Sequence, residues 1–254
     1  MSVTGAMMSE PLSDHEPFRQ KFWQCWRDIL FVHWEVDPDD LKAVLPDTLE
    51  PDLFQGRAYV GLVPFRMTGI RPVWLPSVPY LSKTLETNLR TYVLHKDPSK
   101  NTVPAVWFFS LEAANPFAVV SARLGYGLKY YRAAMWLHEQ AQLDGSTLYS
   151  AGSQRHWPRP APVTSLVQAR VEAGDFLPAR SGTLEHFLVE RYALFAERRG
   201  KLLKALVRHE PYRIKPGQLI TADTGLFVAA GLPVPETLKD ALVHRALDVR
   251  VRVG

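Results

Sequence analysis

A single cysteine, Cys25, stands in 254 residues. That excludes an intramolecular disulfide framework and fits a reducing compartment. Long apolar runs are missing too: none reaches the roughly 18 residues that a membrane-crossing helix needs. The N-terminus carries no basic-then-apolar signal pattern. The expectation is a cytoplasmic protein without a membrane partner. A strong charge of one sign is also absent. The 30 basic residues stand against 26 acidic ones, for a net charge of +4, and the excess is spread along the chain. A spread of this kind gives no footprint for nucleic acid, and none is expected as a partner. The chain has no fixed-period repeat, low-complexity segment, glycine-rich phosphate loop, nucleophile elbow or His-Glu-x-x-His. No two histidines stand at ligand spacing; His186 and Glu190, four apart, come nearest, and such a pair reads first as an ordinary surface contact. Neither a metal nor a cofactor is expected.

What is present is a substantial core and many strands. With 46% of residues hydrophobic, the chain can bury one large core. Residues 1–16 are polar and read as a loose tail, and residues 17–254 read as a single domain without a linker. Phe18, Phe22, Cys25 and Trp26 share a helical face, which predicts a short helix over 18–26. Strands are predicted over 27–36, 57–71, 84–95, 103–112, 129–140, 147–155, 163–173, 202–209, 213–221 and 246–253. Gly61 and Pro64 suggest a bulge or bend in the second of these. Asp37-Pro38 and Asn115-Pro116 open helices, and Gly125 and Gly127 end the one after Asn115. Residues 182–195 have helical phase, and Asp223 or Thr224 caps a short helix ending at Ala230. Strands outnumber helices and seldom alternate with them. The fold class is therefore α+β, mainly β: a curled antiparallel sheet, or a cone or barrel, with a few flanking helices.

Two stretches carry the chemistry. In 84–95, Glu86, Asn88, Arg90 and Tyr92 fall on one face of the strand. That face is either the water side of a half-buried sheet or a polar wall inside a barrel, where a carboxylate and a guanidinium would fix a small carbonyl or carboxylate ligand. In 115–132, Lys129 precedes Tyr130 and Tyr131. Either its stem packs on Tyr131 while its ammonium reaches water, or it is a desolvated amine able to attack a carbonyl and form a Schiff base. Arg132 lies on the opposite strand face, so Arg27 is the better activating cation.

Several segments together resemble the YqjF-like family of uncharacterised bacterial proteins: LFVHWEVDPDDLKAVLP, GRAYVGLVPFRM, ETNLRTYV, FFSLEAANPFAVVSAR, GTLEHFLVERYALF and VRHEPY. More distantly the chain is similar to the acetoacetate decarboxylase superfamily. That likeness implies a cone or barrel of antiparallel strands around a small cavity, a homodimer or higher homo-oligomer, and a Schiff-base lysine in the decarboxylases. It puts Arg27 before the first strand and Glu86 on the site's carboxylate. A gapless count places Lys129 on the reactive lysine and Tyr130 on its partner lysine. A one-residue shift puts Tyr130 and Tyr131 on the two lysines. The lysine pair is broken in both. The expected function is small-molecule binding through Arg27, Glu86, Asn88, Arg90, Tyr130 and Tyr131. The alternative is a Schiff-base lyase with Lys129 as nucleophile and Glu86 moving protons.

Overall fold

The computed structural model describes residues 18–78, 80–101, 103–159, 162–223 and 225–254, apart from the side chains of 124–126. The tail over 1–16, and Thr224 as a helix cap, lie outside the described residues. In chain order the strands are β1 (Phe22–Arg27), β2 (Ile29–Val36), β3 (Leu49–Pro51), β4 (Ala58–Pro72), β5 (Lys83–His95), β6 (Ala105–Ala113), β7 (Tyr130–Ala141), β8 (Thr147–Trp157), β9 (Thr164–Val171), β10 (Leu177–Pro178), β11 (Ala193–Arg198), β12 (Lys201–His209), β13 (Arg213–Ala222), β14 (Leu242–Ala246) and β15 (Val249–Val253). The helices are α1 (Pro38–Val44), α2 (Pro116–Tyr126), α3 (Leu184–Val189) and α4 (Gly225–Ala229). No helix among the described residues is long and apolar enough to cross a membrane.

The strands form one mainly antiparallel sheet that curls until its pairings close two rings. Both rings share the wall β4–β5–β6, because the outer edge of each flanking strand changes partner along its length. β4 pairs β2 over Ala58–Leu62 and then β1 from Arg66 onward. β6 pairs β11 over Ala105–Trp107 and then β7 over Leu111–Ala113, both parallel. One ring runs β4–β5–β6–β7–β8–β9–β13–β14–β2. The other runs β4–β5–β6–β11–β12–β15–β1. Pro64 stands at the fork in β4, between the last β2 partner and the first β1 partner, where a missing N–H costs no ladder bond.

Alternation then sorts side chains into two cores. Leu30, Val32, Leu62, Leu89, Phe109 and Val167 fill the nine-strand ring as a dry core. Ile29, Phe31, Val63, Phe65 and Val207 face the seven-strand ring. Opposite Leu89 and Arg90, β6 carries one extra residue, Phe109. This bulge resets the phase, so Val106, Phe108 and Leu111 face one core while Trp107, Ser110 and Glu112 turn toward the other.

Four local readings need correction. Residues 22–27 form a strand, not a helix: β1 bonds β15 on one edge and β4 on the other, and that pairing overrides a weak helical phase. Consequently Trp23 and Trp26, three apart, lie on opposite faces. The helix over 182–195 stops at Val189, and Ala193 onward is strand, paired with both β6 and β12. The final strand is two, β14 and β15, divided at Leu247-Asp248. Gly61 and Pro64 mark no bulge toward β5, since the β4–β5 register is unbroken from Val60 to Thr68. Gly61 instead makes room for His33, whose ring would lie 2.8 Å from an added Cβ. The irregularity in β4 falls next to Gly69, at a positive φ of 63°.

The helices follow their caps. Asp37 accepts from the Asp39 N–H, and Asn115 accepts from the N–H groups of Phe117 and Ala118. Gly125 stays within α2, and Gly127 ends it in the left-handed conformation, φ 70°. A side chain at 127 would also meet Arg198 Cβ at 2.7 Å and the Glu197 carbonyl at 2.9 Å.

Candidate ligand cavity

The seven-strand ring encloses a cavity of about 550 Å³. Its walls are mostly apolar, with Trp26, Phe31, Phe65, Phe108, Leu111 and Val207 among them. Polar groups enter chiefly from one strand. Thr84, Glu86, Asn88 and Arg90 of β5 line the cavity in succession, and all are buried: Glu86 is 3% exposed, Asn88 4% and Arg90 8%. The stripe is therefore an interior wall rather than the water side of a sheet.

Glu86 accepts a hydrogen bond from the Tyr130 hydroxyl at 2.7 Å. Burial raises the Glu86 carboxyl to about 7, against opposing pulls from Tyr130 and the Asn88 amide. Burial, and then the Glu86 charge, push the Tyr130 phenol well above its ordinary value. The pair is thus a carboxyl that exchanges its proton near neutrality beside a phenol that keeps its own. Asn88 Oδ1 finds no protein partner among the described residues.

Arg90 lies deeper. Its guanidinium stacks 5.2 Å from the Phe31 ring centroid and donates to the Leu188 carbonyl at 3.1 Å. Among the described residues no carboxylate stands within ion-pair distance of it, and its Nε is unpaired. A second arginine, Arg191, lines the same end of the cavity; the helical phase over 182–195 hides it, because it makes Arg191 one more position of a long helix. It leaves the end of α3, stacks 4.6 Å from the Tyr92 centroid and 4.0 Å from that of Phe187, and pairs with Asp52 at 2.5 Å. Of the two buried guanidinium groups, only that of Arg191 has a carboxylate partner among the described residues. Nearby His33 does not add charge; burial, then Arg90, hold it well below its ordinary value. Its Nε2–H is assigned as donor to the Tyr92 hydroxyl, 2.6 Å away, which donates onward to the Leu188 carbonyl at 2.8 Å.

The other anticipated residues lie elsewhere. The parallel pairing of β6 and β7 sets Tyr130 beside Leu111 on the cavity face and Tyr131 beside Glu112 on the opposite face. Lys129 precedes Tyr130, so it falls on the Tyr131 side, exposed, with its ammonium 5.4 Å from the Trp107 ring centroid. Lys129 is therefore not at Glu86, and the hydroxyl of Tyr130 is. Tyr131 stacks on Arg155, 3.5 Å from its guanidinium carbon. Arg27 is an exposed residue 3.8 Å from Asp248. Among the described residues no lysine lines the cavity. Glu190, half of the spaced His186/Glu190 pair, uses its two oxygens on the Tyr192 hydroxyl and the Tyr212 N–H.

The cavity reaches the surface where Leu75, Val78 and Leu81 meet Phe117 of α2; these four line it and are themselves exposed. Asn115 fixes this rim. While its oxygen caps α2, its amide donates to the carbonyls of Tyr80, Leu81 and Lys83.

A family model for an uncharacterized conserved protein, DUF2071, matches residues 23–250. The uncharacterized protein YqjF of Bacillus subtilis (strain 168) is 31% identical over 223 residues, spanning 88% of this chain and 86% of that one. An acetoacetate decarboxylase-like enzyme from Sphingomonas wittichii RW1 is similar in structure, with a TM-score of 0.54 and 15% identity over 93% of this chain and 92% of that one. The enduracididine biosynthesis enzyme MppR, in complex with pyruvate, gives a TM-score of 0.58 and 12% identity over 94% and 91%. At these identities the structural likeness is one of fold.

Proposed function

The chain belongs to the DUF2071 family of uncharacterized conserved proteins and has the acetoacetate decarboxylase-like fold, and on that premise we propose that it binds a small organic molecule bearing a carboxylate or carbonyl group. The observation that carries the reading is Arg90: a buried guanidinium on a cavity wall with no carboxylate among the described residues to neutralise it. A ligand carboxylate there would make charge-assisted hydrogen bonds with a group already stripped of water. The Glu86–Tyr130 pair, further along the same wall, suits a carbonyl or hydroxyl oxygen, since a carboxyl near 7 both donates and accepts. The pyruvate bound by MppR on the same fold is a ligand of this type.

Binding is favoured over lysine chemistry because a Schiff base needs an amine inside the cavity, and Lys129 lies outside it. The test is a panel of small carboxylates and carbonyl compounds followed by melting temperature and calorimetry. Arg90→Gln is expected to weaken a carboxylate ligand by roughly 10- to 100-fold, the worth of a hydrogen bond to a charged group. Lys129→Ala is expected to leave both affinity and stability unchanged, and borohydride reduction with the carbonyl compounds should leave no adduct at position 129. Indifference of the wild type to the whole panel would sink the binding reading; a reduced adduct on Lys129 would restore the Schiff-base one.

A further inference from the structure

We infer that the ligand is a linear amphipathic acid, seated carboxylate first against Arg90 with its apolar chain running out toward the rim. This rests on the binding reading above and specifies its ligand class. The first support is direction. Thr84, Glu86, Asn88 and Arg90 occupy every second position of β5, so the wall extends about 20 Å from rim to floor at ~3.3 Å per residue. The second is the placement of charge. Arg90 sits at the buried end, beside Phe31, Tyr212 and Leu188, all under 9% exposed. The other cavity arginines have less need of an anion. Arg191 already holds Asp52, and Arg71 lies at the partly exposed rim, donating to the Leu75 carbonyl and stacking on Trp23.

The third support is the lining. Opposite the polar stripe the wall is apolar, and a two- or three-carbon acid would leave most of that surface without an apolar partner. The apolar path also does not stop at the cavity. Leu75, Val78, Leu81 and Phe117 carry it to the surface, where they are 42%, 46%, 48% and 62% exposed. A chain that outgrows the cavity still meets hydrocarbon there.

The test is calorimetric titration of the full chain with pyruvate, acetate, butanoate, hexanoate, octanoate and decanoate below their aggregation limits, with decylamine as the control for the head group. Affinity is expected to rise about fourfold per added methylene through the middle of the series, the transfer value of a buried CH₂, and then level off. Arg90→Gln should weaken every acid by a similar factor. Ala118→Trp, and separately Ser121→Trp, place bulk on α2 at the rim and should weaken only the longest chains. Equal binding of pyruvate, butanoate and octanoate would overturn this inference while leaving the proposed function standing. Binding of decylamine as tightly as decanoate would overturn the head-group assignment. Failure of every acid would overturn this inference, and indifference to the neutral carbonyl compounds as well would overturn the binding reading with it.

Discussion

Glu86→Gln is expected to stabilise the protein by about 3 kcal/mol at pH 8 and to leave it unchanged near pH 4. Burial raises this carboxyl from 4.5 to about 7. A shift of that size corresponds to about 3 kcal/mol at about 1.4 kcal/mol per unit. The sign follows from proton binding. Below the unfolded-state value the carboxyl is protonated in both states and contributes no pH dependence. Between that value and about 7 the folded state holds more protons than the unfolded one, so stability falls as pH rises. Above about 7 the folded state carries a buried carboxylate and the full cost is present. Glutamine keeps an oxygen to accept from the Tyr130 hydroxyl, so the variant removes the titration with little change in packing. The buried histidines His33 and His244 and the half-buried His209, all lowered by desolvation, change stability in the opposite sense in acid, but they are common to both proteins. The measurement is therefore the difference in urea midpoints between variant and wild type, taken from pH 4 to pH 8.5. A difference that stays flat across that range would mean Glu86 titrates as an ordinary exposed carboxyl.

The second large effect belongs to the opposite face of the same wall. Arg155 of β8 donates to Glu112 of β6 through Nη2 at 2.6 Å and Nε at 3.2 Å, with both side chains almost fully buried and Tyr131 stacked on the guanidinium. Arg155→Leu leaves the Glu112 carboxylate in the dry core without a countercharge and should cost about 3–5 kcal/mol. Glu112→Leu should cost a comparable amount by stranding the arginine. The double variant Glu112→Leu/Arg155→Leu removes both charges together and should recover most of that loss, because the buried pair spends much of its mutual attraction on desolvation. A double-mutant cycle by urea denaturation at pH 7 measures the coupling. Losses that simply add would mean that the two charges do not depend on each other.

The part of this structure that was legible in the sequence is the part decided locally. Asp37-Pro38 and Asn115-Pro116 announce their helices because capping depends on two or three adjacent residues. The β5 alternation is legible because a strand buried on both faces still shows its polar stripe, and that stripe lies along the cavity. The rest depends on partners distant in sequence. Phe22 to Arg27 became a strand through β15, more than two hundred residues away. Arg191 entered the cavity because the chain leaves α3 at Glu190 and must join β6, a choice invisible in the phase of Leu184, Phe187 and Leu188. The placement of Lys129 turned on a single residue of phase. Only the pairing of Tyr130 with Leu111 decides which side of β7 faces the cavity, and no local pattern around Gly127 reports it.

Because β5 is wedged between two interiors, its even- and odd-numbered residues answer to different demands. Leu85, Leu89 and Val93 belong to the dry core, while Glu86, Asn88 and Arg90 line the cavity. Point mutation can therefore change the chemistry of the cavity wall at the even sites while the odd ones go on holding the molecule together, so a differently lined cavity is open to descendants of this gene at little risk to folding. A single inserted codon has no such latitude. It would exchange the two sets, delivering three polar side chains into hydrocarbon and three aliphatic ones into the cavity. Lineages whose cavities diverge in chemistry should accordingly differ along this stretch by substitution and keep its length to the residue.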